Sequence, residues 1–267
     1  MPERVLAFDM GGTKLAAALV EDARVVERRE VAMPKDRSPW RVVQAFVDLG
    51  SEWARFAPRV AVAATGHVRR GRVSALNLET LPWTDVDLQS LLRGAFAKPT
   101  VVLNDADAAA WGEFRFGAGH GTERFLFVTV STGVGAGMVL DGRLVEGAEI
   151  GFTRLADGTP LELAASGTAL DRYAKARGWT GARDVVRHAA SDEDAEAALA
   201  HAARLIAGKL WDAAKLLDLE RVAVGGGLGL ASDFRAKLEA HVGVPGLLAP
   251  AKLGVDAGLV GAAHWTS

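Results

Sequence analysis

Residues 6–20 run apolar, polar, apolar: Leu6-Ala7-Phe8, then Asp9-Met10-Gly11-Gly12-Thr13-Lys14, then Leu15-Ala16-Ala17-Ala18-Leu19-Val20. That pattern predicts a strand, a Gly/Thr turn and a second strand, with Glu21-Asp22-Ala23 turning into a third at Arg24-Val25-Val26. Residues 126–140 read the same way around Ser131-Thr132-Gly133-Val134-Gly135-Ala136-Gly137. Asp141-Gly142, a strong hairpin signal, then turns into Arg143-Leu144-Val145. One strand–turn–strand–turn–strand unit therefore occurs twice, about half a chain apart, a spacing far too long for a solenoid. It predicts two similarly built lobes, each opening with a β-meander.

After each meander, apolar strand candidates alternate with helical patterns. In the first half these are a strand at 60–64, a helix around 88–97 and a strand at 100–103; in the second, a long helix around 193–217, a strand at 222–224 and a helix around 233–241. Such alternation predicts an α/β fold with largely parallel sheets and helices on both faces, to which the meanders add an antiparallel portion. Ala203, Ile206, Leu210, Ala213, Ala214 and Leu217 recur at helical spacing and read as core. The acidic run at 191–196 reads as a helix N-terminus, Ser232 and Asp233 as the cap of the helix that follows them, and Arg69-Arg70-Gly71-Arg72 as a solvated hairpin tip.

Composition narrows the function classes. A chain of 267 residues, 49% apolar, can bury one large core or two ordinary ones. A net charge of −2 gives no basic field, which argues against nucleic acid or an anionic membrane as a partner. The absence of cysteine excludes disulfides, thiol catalysis and cysteine-ligated metal. No apolar run approaches the ~18 residues of a membrane span, and the apolar start is too short for a signal-peptide core, so a cytoplasmic protein is expected. Asparagine is nearly absent too: only Asn77 and Asn104 occur. Heat-adapted chains tend to show this Asn-poor, Cys-free composition, which makes the two that remain informative.

Asn104 stands in the segment Val101-Val102-Leu103-Asn104-Asp105-Ala106-Asp107, where an apolar run ends abruptly and an Ala-rich helical pattern begins. A carboxylate there sits at the positive end of the helix dipole, which favours the ionised form that a general base needs, and Asp105 is the candidate. The alternative is that Asn104 and Asp105 only cap the helix. The two Gly turns offer backbone N–H groups that a phosphate can approach closely. Asp9 could hold Mg²⁺ through water, and Thr13 and Thr132 add hydroxyls. These glycines could also serve only as hairpin turns. A third cluster, Gly225-Gly226-Gly227, lies between a strand and a helix, where nucleotides meet backbone N–H groups; it lacks the Gly-Lys-Ser/Thr of a P-loop.

In order along the chain, these segments resemble the ROK family of sugar kinases and repressors. Asp9 to Lys14 resembles the first phosphate motif, 103–110 the catalytic-base segment, 131–137 the second phosphate motif and Gly147-Ala148-Glu149-Ile150-Gly151 the sugar-binding segment. Leu161-Glu162 with 165–170, Val224-Gly225-Gly226-Gly227 and residues 253–263 complete the likeness. The resemblance implies two actin-like (ribonuclease H-like) lobes with mixed sheets flanked by helices and a cleft between them: residues 1–117 with 253–267 as the N-terminal lobe, and 118–252 as a nucleotide-binding C-terminal lobe. It implies ATP and Mg²⁺, a homodimer, and transfer to the 6-hydroxyl of a hexose or N-acetylhexosamine. Glucose is the default, with N-acetylmannosamine and N-acetylglucosamine behind it. Asp105 would be the base. Asn77, Asn104, Glu149, Glu162 and Gly66 would meet the sugar. Asp9, Gly11, Gly12, Thr13, Lys14, Ser131, Thr132, Gly133, Gly135, Gly225, Gly226 and Gly227 would meet the phosphates.

Two departures go together. Family members usually carry a Cys-rich zinc loop and a zinc-ligating His after Glu-Ile-Gly; here the loop is Ala156-Asp157-Gly158-Thr159-Pro160 and the His position is Phe152. A zinc-free branch is expected, with Asp157-Gly158 forming a tight turn in the metal's place. The family His also touches the sugar, so Phe152 bears on which sugar binds, and His67 replaces a frequent Pro near the same place. A repressor of the family needs a DNA-binding domain ahead of the first phosphate motif, for which the start of the sequence leaves no room. A catalytically inactive sugar sensor and an actin-like ATPase are the remaining rivals. The intact Asp105 opposes the first, and Glu149, Glu162 and Asn77 oppose the second.

Overall fold

The computed structural model describes residues 3–75, 78 and 81–266, so Asn77 lies outside the described residues. The chain divides into two compact units, Met1–Phe116 with Val255–Ser267, and Gly117–Gly254. The first contains, in order, β1 (Arg4–Met10), β2 (Lys14–Glu21), β3 (Arg24–Ala32), α1 (Pro39–Ala54), β4 (Val60–Ala64), β5 (His67–Arg69), β6 (Arg72–Ser74), α2 (Leu88–Phe96), β7 (Thr100–Asn104) and α3 (Asp105–Phe116). Five of these strands form one sheet in the order β3-β2-β1-β4-β7. The meander β1–β2–β3 pairs antiparallel, and β4 and β7 extend the sheet parallel to β1. Every residue of β4 is buried, which is why it reads as an unbroken apolar run, as covered parallel strands do.

The second unit repeats the plan: β8 (Phe125–Val130), β9 (Val134–Leu140), β10 (Arg143–Val145), α4 (Leu161–Ala165), α5 (Gly167–Ala176), α6 (Ala182–His188), α7 (Glu193–Leu217), β11 (Arg221–Gly225), α8 (Ser232–Val242) and β12 (Leu248–Pro250). Its sheet order is β10-β9-β8-β11-β12, again a meander extended by parallel strands. A 3-10 turn, Ile150–Phe152, links β10 to α4. α7 begins where its acidic run predicts: Asp192 accepts from the Ala195 N–H at 2.9 Å, and Glu193, Asp194 and Glu196 occupy the first turn. The cap of α8 is a correction: Ala231 holds that position, and Ser232 and Asp233 lie inside the first turn. The tip between β5 and β6 is the expected hairpin, with Arg70 and Gly71 at φ 52° and 74°. Among the described residues, no helix is long and apolar enough to cross a membrane.

The chain ends in α9 (Ala257–His264), which packs on α3 in the first unit. The two backbones approach through small residues. A Cβ on Gly112 would lie 2.6 Å from the Ala257 carbonyl oxygen, and one on Gly261 only 1.7 Å from that of Ala108. Neither obstacle is a movable side chain, so Gly261→Ala must push the helices apart. It is expected to cost about 3 kcal/mol of stability, the upper end for overpacking. A urea-unfolding midpoint equal to that of the wild type would contradict this.

Candidate active site

The parallel strands of the first unit end in register, with Met10 beside Ala64 and Ala64 beside Asn104. Gly11-Gly12, Thr65-Gly66 and Asp105 follow immediately, so these turns share the carboxyl edge of the sheet, where open α/β sheets bind ligands. The Thr65 N–H donates to the Met10 carbonyl at 2.9 Å, and Gly11 N–H to the Lys14 carbonyl at 3.0 Å. Gly66 has φ 105°, and a Cβ there would sit 2.8 Å from the Ser74 carbonyl oxygen, so both conformation and space require glycine.

Asn104 caps α3. Its Oδ1 accepts from the N–H groups of Ala106 at 2.9 Å and Asp107 at 3.0 Å, while its Nδ2 donates to the Gly66 carbonyl at 2.9 Å. The capping alternative therefore holds for Asn104, which also fastens the Gly66 turn to the helix start. Asp105 is the first residue of α3 and is partly exposed; its Oδ1 accepts from the Ala106 N–H at 2.9 Å. A partly exposed carboxylate at a helix N-terminus sits at the positive end of the helix dipole and within reach of a ligand.

Asp9 lies at the end of β1, beside Ala63 of β4. Burial pushes its carboxyl up to about 6 although Arg28 and Lys14 pull the other way. Those cations are partnered elsewhere. Arg28 Nη1 donates to Asp256 at 2.6 Å, and Lys14 Nζ lies 2.9 Å from Glu30. The expected phosphate ligand Lys14 thus has its ammonium on Glu30. Asp9 is a desolvated anion without enough nearby positive charge, a condition that a divalent cation relieves. Among the described residues, no group of three or more His, Cys, Asp or Glu could hold a metal. One carboxylate supplemented by phosphates and waters fits Mg²⁺, which is rarely caged by protein alone.

In the second unit, the turn between β8 and β9 is gripped from several sides. Ser131 N–H closes it onto the Gly133 carbonyl at 2.9 Å. Glu162 Oε2 accepts from Val134 N–H at 2.9 Å, and a Cβ on Gly133 would be 2.3 Å from that same oxygen. The Gly167 N–H donates to the Ser131 carbonyl at 2.7 Å, and the Thr168 N–H and hydroxyl to the Thr132 carbonyl at 3.1 and 2.8 Å. Thr132 itself is exposed. Gly226, at φ 82°, packs against the Val130 carbonyl, which accepts from the N–H groups of Leu228 and Gly229 at 3.0 Å each.

The remaining candidates are less alike than their sequence suggests. A Cβ on Gly225 would strike the Phe127 ring at 2.9 Å, whereas Gly227 has open space around its Cβ position and Gly135 lies within β9 opposite Thr129. Glu149 precedes the 3-10 turn, on which Phe152 is 45% exposed. Asp157 and Gly158 form a tight turn: Leu155 N–H donates to the Thr159 carbonyl at 2.8 Å, and the Thr159 N–H to Asp157 Oδ1 at 2.9 Å. That second bond holds the Asp157 carboxyl below its ordinary range. His67, at the start of β5, is exposed. Sequence reasoning missed Arg28, Glu30 and Asp256 around Asp9, and Gly229, whose Cβ would lie 2.2 Å from the Gly225 carbonyl oxygen. The closely spaced glycines at 225–229 were the available signal for the last.

The profile of the ROK family matches residues 5–267. A bifunctional enzyme NanE/NanK of Brucella melitensis biotype 1 is 39% identical, covering 97% of this chain and 53% of the relative. The chain thus spans about half the length of the NanE/NanK relatives it matches. An N-acetylmannosamine kinase of Haemophilus influenzae is 34% identical, covering 98% of this chain and 95% of that one. The structure of a ROK family glucokinase from Streptomyces griseus in complex with glucose and AMPPNP superposes with TM-score 0.82 at 28% identity, covering 97% and 98% of the two chains.

Proposed function

This chain belongs to the ROK family, and we propose that it is an ATP-dependent kinase acting on the 6-hydroxyl of a hexose or an N-acetylhexosamine. The observation that carries the reading is Asp105, a partly exposed carboxylate at the first position of α3, on the same sheet edge as Asp9. Asp105 accepts the proton of the attacking hydroxyl. The sugar oxygen bonds to the γ-phosphorus as the bond from that phosphorus to the β–γ bridging oxygen breaks, and ADP leaves. Positioning and charge stabilisation supply most of the catalysis in such a transfer.

The Gly11-Gly12-Thr13 and Ser131-Thr132-Gly133 turns hold phosphates, with Gly225 to Gly227 toward the nucleotide. Asp9 would hold the Mg²⁺ of the nucleotide, which would supply charge neutralisation for the phosphoryl transfer. Asn104 and Gly66 of the first unit and Glu149 and Glu162 of the second are the sugar ligands of this reading, and a further candidate, Asn77, lies outside the described residues. Two supports are the names N-acetylmannosamine kinase and ROK family glucokinase carried by relatives. The former belongs to a protein of higher identity, which puts N-acetylmannosamine ahead of glucose.

ADP formation from Mg-ATP should therefore be strong with one sugar of a panel containing N-acetylmannosamine, N-acetylglucosamine and glucose, with N-acetylmannosamine fastest. Silence across the panel, with a sugar still raising the melting temperature, would replace the kinase with a sugar-binding protein.

A further inference from the structure

We propose that Glu162 is a positioning residue for the nucleotide turn at 131–134, in addition to facing the sugar; this rests on the kinase reading above. Its carboxylate is engaged by the protein's own backbone. Oε2 accepts the Val134 N–H at 2.9 Å, a charge-assisted bond to the residue where the turn becomes β9. The carboxylate also occupies the space that a side chain at position 133 would need, since a Cβ there would lie 2.3 Å from Oε2 and 3.1 Å from the carboxyl carbon. Gly133 is therefore a requirement of the Glu162 contact.

The contact is one end of a continuous brace. The Glu162 carbonyl accepts from the Ser166 N–H at 3.2 Å, and the Ser166 hydroxyl caps α5 by accepting from the Ala169 N–H at 3.2 Å. The next two residues bind the turn again, Gly167 on Ser131 and Thr168 on Thr132. Residues 162–168 thus run along 131–134 with Glu162 on its far end. From behind, Gly151 packs so closely on Val134 that a Cβ would lie 2.1 Å from its carbonyl oxygen, and 3.4 Å from the Glu162 Cβ. A turn held at both ends presents its remaining groups to a phosphate in one geometry. Without the Val134 bond, ordering of the Val134 end of that turn would have to come from nucleotide binding itself, which weakens affinity.

The role separates from plain sugar binding in a measurement with no sugar present. Titration calorimetry with Mg-ADP alone compares wild type, Glu162→Ala and Glu162→Gln. Alanine removes the acceptor, and the dissociation constant for Mg-ADP should rise about tenfold. Glutamine still offers a carbonyl oxygen to the Val134 N–H, so its Mg-ADP affinity should stay within about twofold of wild type. Both variants should bind the substrate sugar at least about tenfold more weakly, because glutamine replaces the second carboxylate oxygen with a donor. Wild-type Mg-ADP affinity in Glu162→Ala would overturn the proposal and leave Glu162 a sugar ligand only. Should Glu162→Ala melt before it can be titrated, Gly133→Ala displaces the carboxylate without deleting it. It should also weaken Mg-ADP, while Glu162→Gln stays within about twofold of wild type. Undiminished Mg-ADP binding by Gly133→Ala would equally overturn the proposal. Wild-type protein that binds no Mg-ADP at all would instead remove the kinase reading itself.

Discussion

Asp105→Asn should lower kcat by about three orders of magnitude while leaving the affinities for sugar and nucleotide within a few-fold. A positioned general base contributes ~10²–10⁴ in rate, and aligning the attacking hydroxyl adds to that. The substitution isolates this contribution. Asparagine keeps the shape of aspartate, and its carbonyl oxygen can still accept from the Ala106 N–H, the 2.9 Å bond that Asp105 Oδ1 makes. Asn104 supplies the main cap of α3, accepting from that same Ala106 N–H and from the Asp107 N–H, so the helix start does not depend on the charge at position 105. What asparagine cannot do is take a proton. The check is a coupled ADP assay with saturating sugar, run beside melting curves with and without that sugar. Turnover within tenfold of wild type would remove Asp105 from the base role. Lost turnover together with a lost sugar-induced rise in melting temperature would mean that the variant had damaged the binding site instead.

The duplicated architecture was legible because it is written in strong periodic signals. Two meanders spelled with the same Gly-rich break predicted two similar halves, and the sheets repeat one strand order. The bounds of β4 and α7 follow directly from a fully apolar run and a long helical period with an acidic start. α1 escaped the pattern reading although its buried positions Val42, Val43, Phe46, Leu49 and Trp53 are helically spaced, because exposed Trp40 blurs the polar face. α4 and α6 are five and seven residues long, too short for a period to stand out.

Within the site, local signals survived and long-range ones did not. Asp105 announces itself by following a strand and opening a helix. Asn104 was ambiguous because a cap and a sugar ligand use the same residue type. The glycines of 225–227 look equivalent in sequence, yet ring packing constrains the first, a positive φ and close backbone the second, and nothing within contact the third. The bonds of Arg28 to Asp256 and of Glu162 to Val134 join residues 228 and 28 positions apart, and no period or spacing encodes such pairs.

Asp9→Asn should abolish most activity and, in metal-free buffer at pH 7.5, make the protein more stable. The two effects share one cause. Burial raises the Asp9 carboxyl from 3.8 to about 6, so the folded state holds that proton more tightly than the unfolded chain does. The sign follows. Below about pH 3 both states are protonated and Asp9 costs nothing; as pH climbs from about 4 to 6 the unfolded chain has released the proton that the folded state still holds, so stability falls, and it levels off above 6 where the folded state carries the desolvated charge. Two pKa units correspond to about 3 kcal/mol, all of it present above pH 6. Asparagine resembles the neutral acid, so its advantage should be near 3 kcal/mol at pH 7.5 and shrink to about 0.5 kcal/mol at pH 4. Denaturant titrations of both proteins at those two pH values, in the presence of a chelator, check the difference. Equal stability at pH 7.5 would show that Asp9 is adequately solvated or paired. Under the proposed function the same charge would meet the nucleotide's cation, so Mg-ATP should stabilise the wild type more than the variant. A carboxylate that weakens the empty protein and is relieved only by the bound metal is what a site strained for function looks like in energetic terms.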